Sequence, residues 1–395
     1  MSNLENDTMQ LVSDTEEEEA EIEVVKPVRL GVSLFKNMMG VTCYMNAILQ
    51  ILQQTPYFVE YITQLKFKDT LMKKCESNED KEEFLKNNVI IELFRLFNVS
   101  LTNDGITITP SSFRDAISKK NDMWGENSQQ DAQEFLNFVV SQLEEEVGTK
   151  CKYIPGADIL DVSVTETSGL TPFKIINSTK SWVQYQAREY SPLKNMFNGL
   201  TQNTRRCSCC NNINDMYEPF VTLGLSIPDT DPRKSFSIYD CMDNMVHEEQ
   251  LDMDNKLNCD MCGLKNRGYS KIQLWRTPKI LVLHLKRFMV NKFGIPTRKL
   301  NNNITYPIKN LDLMKYFDPM SPYKDSSRYD LYAVNIHHAF GMGQSINAGH
   351  YTTFVKNMTN HNWFHYNDSS PAQLVTQADM LQTNNAYMLF YMRHD

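Results

Sequence analysis

What this chain has little of narrows its class before any motif is considered. No apolar run approaches the roughly 20 residues of a membrane-spanning helix. The first 23 residues hold no lysine or arginine, so the basic start of a secretory signal is missing. A soluble protein of the cytoplasm or nucleus is the expectation. Glycine and proline are scarce, 15 of each in 395 residues, which excludes a low-complexity chain and leaves most of it able to fold. A basic surplus is lacking too. The formal net charge is −8, and nine carboxylates from Glu5 to Glu23 leave about +1 for everything that follows. A nucleic-acid binder would need a basic face that this balance does not supply. Residues 1–29 read as an acidic, disordered, solvated tail, with a docking segment as the sharper alternative.

Cysteine, by contrast, is plentiful. There are nine, an odd number, and most lie between Cys151 and Cys262. In a reducing compartment such clustering points to metal ligation before disulfides. The length is ample for a large core, as one domain or a few subdomains.

The stretch Gly40-Val41-Thr42-Cys43-Tyr44-Met45-Asn46-Ala47-Ile48-Leu49-Gln50 organises the first third. Met45, Ile48, Leu49 and Leu52 share one helix face, and Thr55-Pro56 ends that helix and starts the next. With Thr42 as N-cap, Cys43 falls in the first turn, where free N–H groups and the helix dipole favour a thiolate. Such a cysteine is a candidate nucleophile if a histidine reaches it. Taken alone, it is more often a small packed hydrophobe.

The rest of residues 30–150 reads as helical, including one helix over 82–98. In Ser128-Gln129-Gln130-Asp131-Ala132-Gln133-Glu134-Phe135-Leu136, Ser128 and Asp131 fit a capping-box pattern ahead of a buried stripe from Ala132 to Leu143. Asp131 and Glu134, three apart, present two carboxylates at one helix start. Plain complementation of the dipole accounts for them as well as a grip on a basic peptide does.

Beyond Gly148 the pattern shifts to short strands and loops, with a surface loop over 154–172. Cys207-Ser208-Cys209-Cys210 and Cys259-Asp260-Met261-Cys262 form two C-x-x-C pairs. Four thiolates suit a closed tetrahedral zinc site, and a closed site is structural because no position remains for water. Cys209 is a spare sulfur, and the spacing favours Cys207 and Cys210. Strands are expected at Lys271–Trp275, Ile280–Phe288, Leu331–Ile336, His350–Val355 and Ala386–Tyr391, forming an antiparallel sheet. His350 starts its strand beside a loop from Gly341 to Gly349 and can act as a base. His337 and His338 are rivals, while His284 lies mid-strand. Asn367 and Asp368 supply an amide and a carboxylate to orient an imidazole.

These segments together resemble the ubiquitin-specific proteases, papain-like cysteine peptidases. The resemblance spans roughly residues 30–395. It rests on the cysteine box, on Gln129 to Leu136, and on Phe197-x-Gly199 with both cysteine pairs and Lys265. Pro278 with Leu283-His284-Leu285-Lys286-Arg287-Phe288, the stretch Tyr329 to Asp368, and Leu389-Phe390-Tyr391 complete it. It implies an α+β hand: a helical thumb at about 30–150, zinc-bearing β fingers at about 200–275, and an antiparallel-sheet palm. It also implies Cys43 as nucleophile, His350 as base, and Asn367 with Asp368 as the third member. Asp131 and Glu134 would hold the arginine-containing tail of ubiquitin. The compact layout is closest to members activated by WD40-repeat partners.

One departure stands out. The family places an oxyanion-stabilising asparagine five residues before the cysteine, where this chain has Met38; Asn37 lies six before. Either the extra residue bulges and Asn37 still reaches the site, or that donor is missing, since a thioether cannot donate a hydrogen bond. A catalytically inactive ubiquitin-binding scaffold and a peptidase for a ubiquitin-like modifier are the alternative functions.

Overall fold

The structure, a computed structural model, describes residues 33–76, 78, 81–103, 105–149, 170–188, 190–291, 296–339 and 349–394. The acidic tail 1–29, the part of the expected 154–172 loop up to residue 169, and the Gly341–Gly349 loop ahead of Gly349 lie outside them.

The helical part begins with α1 (Cys43–Leu52), all ten of whose residues are buried. Thr55-Pro56 then starts α2 (Pro56–Thr63), with proline in the first turn where its missing N–H costs nothing. Next come α3 (Lys68–Glu76), α4 (Lys81–Lys86), α5 (Val89–Thr102), α6 (Ser111–Lys120) and α7 (Ala132–Val147). The single helix expected over 82–98 is thus two. Asn88 breaks it by capping α5, its side chain accepting the Ile91 N–H. The buried Glu146 of α7 takes the Val89 and Ile90 N–H groups at 2.9 Å each, which fixes that break against the core. The capping box at Ser128 does not form either. Asp131 is itself the N-cap of α7, accepting from the Gln133 and Glu134 N–H groups.

Past Gly148 the structure departs from the strand-and-loop expectation with two helices, α8 (Leu170–Arg188) and α9 (Pro192–Phe197). Burial of α8 rests on few apolar anchors. Trp182 lies under the Arg276 guanidinium at 4.5 Å. Lys174 is buried against Asp318 at 2.7 Å and Asp215 at 3.6 Å.

Two sheets follow. The first has β1 (Gly199–Arg206) antiparallel to β2 (Ile213–Phe220), and takes two more strands from later in the chain. The second begins with β3 (Thr222–Ser226), after which α10 (Ile238–Met245) caps a side cluster. The two later strands of the first sheet are β4 (Glu249–Gln250) and β5 (Tyr269–Arg276), giving the order β2-β1-β5-β4. The larger sheet continues with β6 (Ile280–Lys286), β7 (Arg328–Ala339), β8 (Gly349–Lys356), β9 (Trp363–Asn367), β10 (Ser370–Leu374) and β11 (Ala386–Arg393). Its order is β10-β9-β8-β7-β11-β6-β3. All pairs along that path are antiparallel except the last, where β3 runs parallel to β6. The antiparallel expectation therefore fails at one edge. Strand direction there is set by the long excursion between β3 and β6, which no local pattern encodes.

The main core lies where α1, α2, α5 and α7 meet the face of the sheet carrying Tyr332, Tyr351, Val355 and Tyr387. A second cluster fills the opposite face, from Leu281 and Leu283 to Tyr391. Just past β6, the fully buried Arg287 donates to the carbonyls of Ala386, Leu300 and Asn302 at 2.6, 3.0 and 3.0 Å. A guanidinium pays for such burial only by satisfying several acceptors at once. No helix among the described residues is long and apolar enough to cross a membrane.

Candidate active site

The start of α1 packs against β8 and the end of β9, which brings Cys43, His350, Asn367 and Asp368 to one cleft. His350, the second residue of β8, pairs with His338 across the sheet. Its Nε2 lies 2.7 Å from Asn367 Oδ1 and 3.8 Å from Asp368 Oδ2. An accepting amide oxygen at Nε2 calls for the Nε2–H tautomer, which leaves Nδ1 with the lone pair of a base. Among the described residues no hydrogen bond joins the Cys43 thiol to this ring. Such contacts commonly tighten only when substrate is bound.

Cys43 is almost fully buried. Burial, reinforced by the negative charge of Asp368, pushes its thiol up to about 11. The backbone N–H of Tyr351 and those of Tyr44 and Cys43 pull the other way. The sequence-based expectation of a helix-start thiolate thus meets an opposing and larger desolvation effect. Thr42 occupies the N-cap position without capping. Its hydroxyl instead accepts the Met38 N–H at 2.8 Å.

The extra residue before Cys43 does bulge. Met39 and Gly40 both have left-handed backbone, φ 54° and 74°, and the Met39 side chain is 71% exposed. Glycine suits that conformation; methionine there is strained. Looped out in this way, the segment lets Asn37 reach the cleft. Asn37 Oδ1 accepts the Thr42 N–H at 2.9 Å, and its Nδ2 donates to Asp368 Oδ2 at 2.9 Å.

Of the rival histidines, His337 is fully buried and ringed by Phe288, Tyr351 and Tyr387. Burial and the nearby Lys299 hold it down to about 3. His338 is likewise lowered by burial, and its Nε2 lies 3.2 Å from Thr352 Oγ1. His284 meets Tyr387 edge to face at 4.7 Å and is held down to about 4 by burial.

Asp131 and Glu134 do not present their carboxylates together. Asp131 is buried, its Oδ1 taken by two N–H groups and its Oδ2 by the Tyr387 hydroxyl, whereas Glu134 is exposed. Two further contacts join this site, neither legible from the spacing of residues. Gln129 Oε1 accepts the Gly349 N–H at 2.8 Å, and Asn46 Nδ2 donates to Asp368 Oδ1 at 2.7 Å. Asn46 reads in sequence as a polar residue inside an apolar helix, a conflict that is itself a signal.

Past the end of β1, the sulfurs of Cys207, Cys210, Cys259 and Cys262 lie within 4.8 Å of one another and form a cluster that could hold a metal. The Cys207–Cys262 and Cys210–Cys259 separations are 3.8 and 3.5 Å. Thiolates at 2.3 Å from a tetrahedral zinc sit about 3.8 Å apart, so the donor set fits. The Cys209 N–H and the Asn266 amide both point at Cys207 Sγ, at 3.3 and 3.1 Å, as second-layer donors to a metal-bound thiolate do. Cys209 itself is exposed and outside the cluster.

The family model for ubiquitin carboxyl-terminal hydrolase matches residues 35–391. The chain belongs to that family. Ubiquitin carboxyl-terminal hydrolase 2 of Rattus norvegicus is 32% identical over 363 residues, which is 91% of this chain and 54% of the relative. Ubiquitin carboxyl-terminal hydrolase 4 of Saccharomyces cerevisiae is 27% identical, over 90% of this chain and 38% of that one. The chain therefore spans about half the length, or less, of these curated ubiquitin carboxyl-terminal hydrolases. Among solved structures, the SAGA Ubp8/Sgf11/Sus1/Sgf73 DUB module bound to ubiquitin aldehyde matches with TM-score 0.62 and 25% identity, covering 100% of this chain and 76% of that one. The same module bound to monoubiquitin matches with TM-score 0.65 and 23% identity, covering 100% and 75%. The architecture is the α+β, papain-like fold of ubiquitin carboxyl-terminal hydrolases, with helical thumb, sheet palm and cysteine-bearing fingers.

Proposed function

We propose that this chain is a thiol-dependent deubiquitinating peptidase, cleaving the isopeptide or peptide bond after the C-terminal glycine of ubiquitin. The observation that carries the reading is the 2.7 Å contact of His350 with Asn367 beside a helix whose first residue is Cys43. Cys43 gives its proton to His350 Nδ1 and attacks the terminal carbonyl carbon. The C–N bond breaks as the imidazolium protonates the departing lysine amine. Water, deprotonated by His350, then attacks the thioester and frees Cys43. Backbone N–H groups at the start of α1 stabilise the oxyanion, worth on the order of 3 kcal/mol per donor in hydrolases. Asn367 orients the ring, and the Asp368 carboxylate faces the imidazolium that forms during the reaction.

Glu134, exposed at the start of α7, meets the arginine-containing tail of ubiquitin, and Asp131 acts by fixing that helix turn. Zinc is the metal the four cysteines would hold, and its contribution is to fold the fingers. Ubiquitin and its conjugates are the partners, in the cytoplasm, the nucleus or both. The Gln129-Gln130-Asp131 segment and compact catalytic region support a WD40-repeat activator.

Release of a fluorophore from the ubiquitin C-terminus tests the proposal. Wild type is expected to release it and Cys43→Ala to release none. Silence from wild type with ubiquitin still bound points to a scaffold; silence without binding sends the search to ubiquitin-like modifiers.

A further inference from the structure

We propose that Asn37 is a positioning residue that, together with Asn46, clamps Asp368 beside His350. The inference rests on the reading above.

Both oxygens of the Asp368 carboxylate are taken by amides from the far side of the cleft. Asn46 Nδ2 holds Oδ1 at 2.7 Å, and Asn37 Nδ2 holds Oδ2 at 2.9 Å. Each amide is anchored in turn. Asn37 Oδ1 accepts from the Thr42 N–H at 2.9 Å and lies 3.3 Å from the Thr42 hydroxyl. The Asn46 Nδ2 also reaches the Phe35 carbonyl at 3.3 Å. Asp368 adopts left-handed backbone, φ 48°, which turns it back toward these two amides. Among non-glycine residues aspartate is one that tolerates that conformation.

The bulge at Met38–Gly40 accounts for how Asn37 reaches Asp368. With one residue more before Cys43, the Asn37 amide is anchored by its oxygen on the Thr42 N–H and gives one of its two Nδ2 hydrogens to the carboxylate. What the clamp achieves is a graded field. Asp368 Oδ2 is held 3.8 Å from His350 Nε2, while Asn367 takes the direct contact at 2.7 Å. From there the carboxylate faces the imidazolium that forms in the transition state, and the two amides keep it from displacing Asn367 at Nε2.

The other titratable groups around His350 are Cys43 and the imidazoles of His337, His338 and His365. All three imidazoles are lowered by burial and so are neutral near pH 7. Asp368 is the carboxylate within 4 Å of His350 among the described residues.

The test is a double-mutant cycle over Asn37→Ala and Asp368→Asn, read first by the NMR chemical shifts of the His350 ring at one fixed pH in the full chain without ubiquitin. Loss of one amide lets the carboxylate move beside Nε2, so Asn37→Ala should displace the ring signals, and should displace nothing in the Asp368→Asn background. A group acting only on the oxyanion would leave the signals in place. Turnover of the ubiquitin–fluorophore conjugate is the second readout: about tenfold lost from Asn37→Ala alone, under twofold in the Asp368→Asn background. Unmoved ring signals, or equal losses in both backgrounds, overturn the clamp. If wild type does not turn over, the peptidase reading falls and the ring signals still judge the clamp. Asn37→Ser replaces Asn37→Ala should the latter unfold.

Discussion

Gln129 accepts the backbone N–H of Gly349 at 2.8 Å, tying the loop ahead of α7 to the residue before His350. That bond joins the two halves of the cleft at the base itself. A buried N–H left without a partner costs about 1–3 kcal/mol. Gln129→Ala should therefore lower kcat for the ubiquitin–fluorophore conjugate about tenfold with KM little changed. Gln129→Glu, which keeps an acceptor, should retain most of the activity. Equal losses from both variants would show that the bond is not what matters.

Gly349 itself tolerates no side chain. A Cβ there would sit 2.3 Å from His337 Nε2 and 2.6 Å from the His338 carbonyl oxygen, and the second of these is backbone that cannot give way. Gly349→Ala should cost about 2 kcal/mol of stability as an overpacking change and displace His350 as well. Thermal unfolding and turnover of the same preparation measure the two effects. A variant of wild-type stability and rate would contradict the packing described.

The four-cysteine cluster closes a loop of chain between β1 and β5 whose sheet has little core of its own. Cys259→Ser, or a strong chelator, should release bound zinc and loosen the fingers while leaving the α1 core folded. Elemental analysis for metal and hydrogen exchange of β1, β2 and β5 check this. Full protection of those strands without metal would remove the structural role.

His337 makes stability depend on pH. Its folded value is about 3 against an ordinary 6.5, both from burial and from Lys299. Between those values the unfolded chain takes up the proton and the folded chain does not. The stability is thus fully present above about 6.5 and is lost as pH falls toward 3, at up to about 1.4 kcal/mol per pH unit. Denaturant unfolding at pH 7 and pH 5 should show a smaller difference for His337→Phe than for wild type. An unchanged difference would mean that other groups carry the acid sensitivity.

Local features were legible in the sequence. The α1 face, the Thr55-Pro56 junction and the four metal-spaced cysteines depend on neighbours in the chain and came through intact. The strand carrying His350 is expected as well, whereas the one carrying Asn367 is not among the expected strands. What needed three dimensions was partnership. Asn46 sits in an apolar helix because Asp368 of β9's far end comes to meet it. Asp131 looked like half of an exposed carboxylate pair until Tyr387 of β11 covered it. Helix α8 is not legible in the sequence because its burial depends on Lys174 meeting two distant aspartates and Trp182 meeting Arg276. None of these leaves an apolar period to read.

The position of β11 in the larger sheet sets an order on synthesis. It lies between β7 and β6, hydrogen-bonded to both. The nucleophile helix leaves the ribosome early, but the sheet that carries His350 stays split into two open-edged pieces until residues 386–393 emerge. A nascent chain stalled before that point would hold Cys43 without the completed sheet that carries His350. It would also expose two unpaired strand edges, the kind of surface that quality-control machinery recognises.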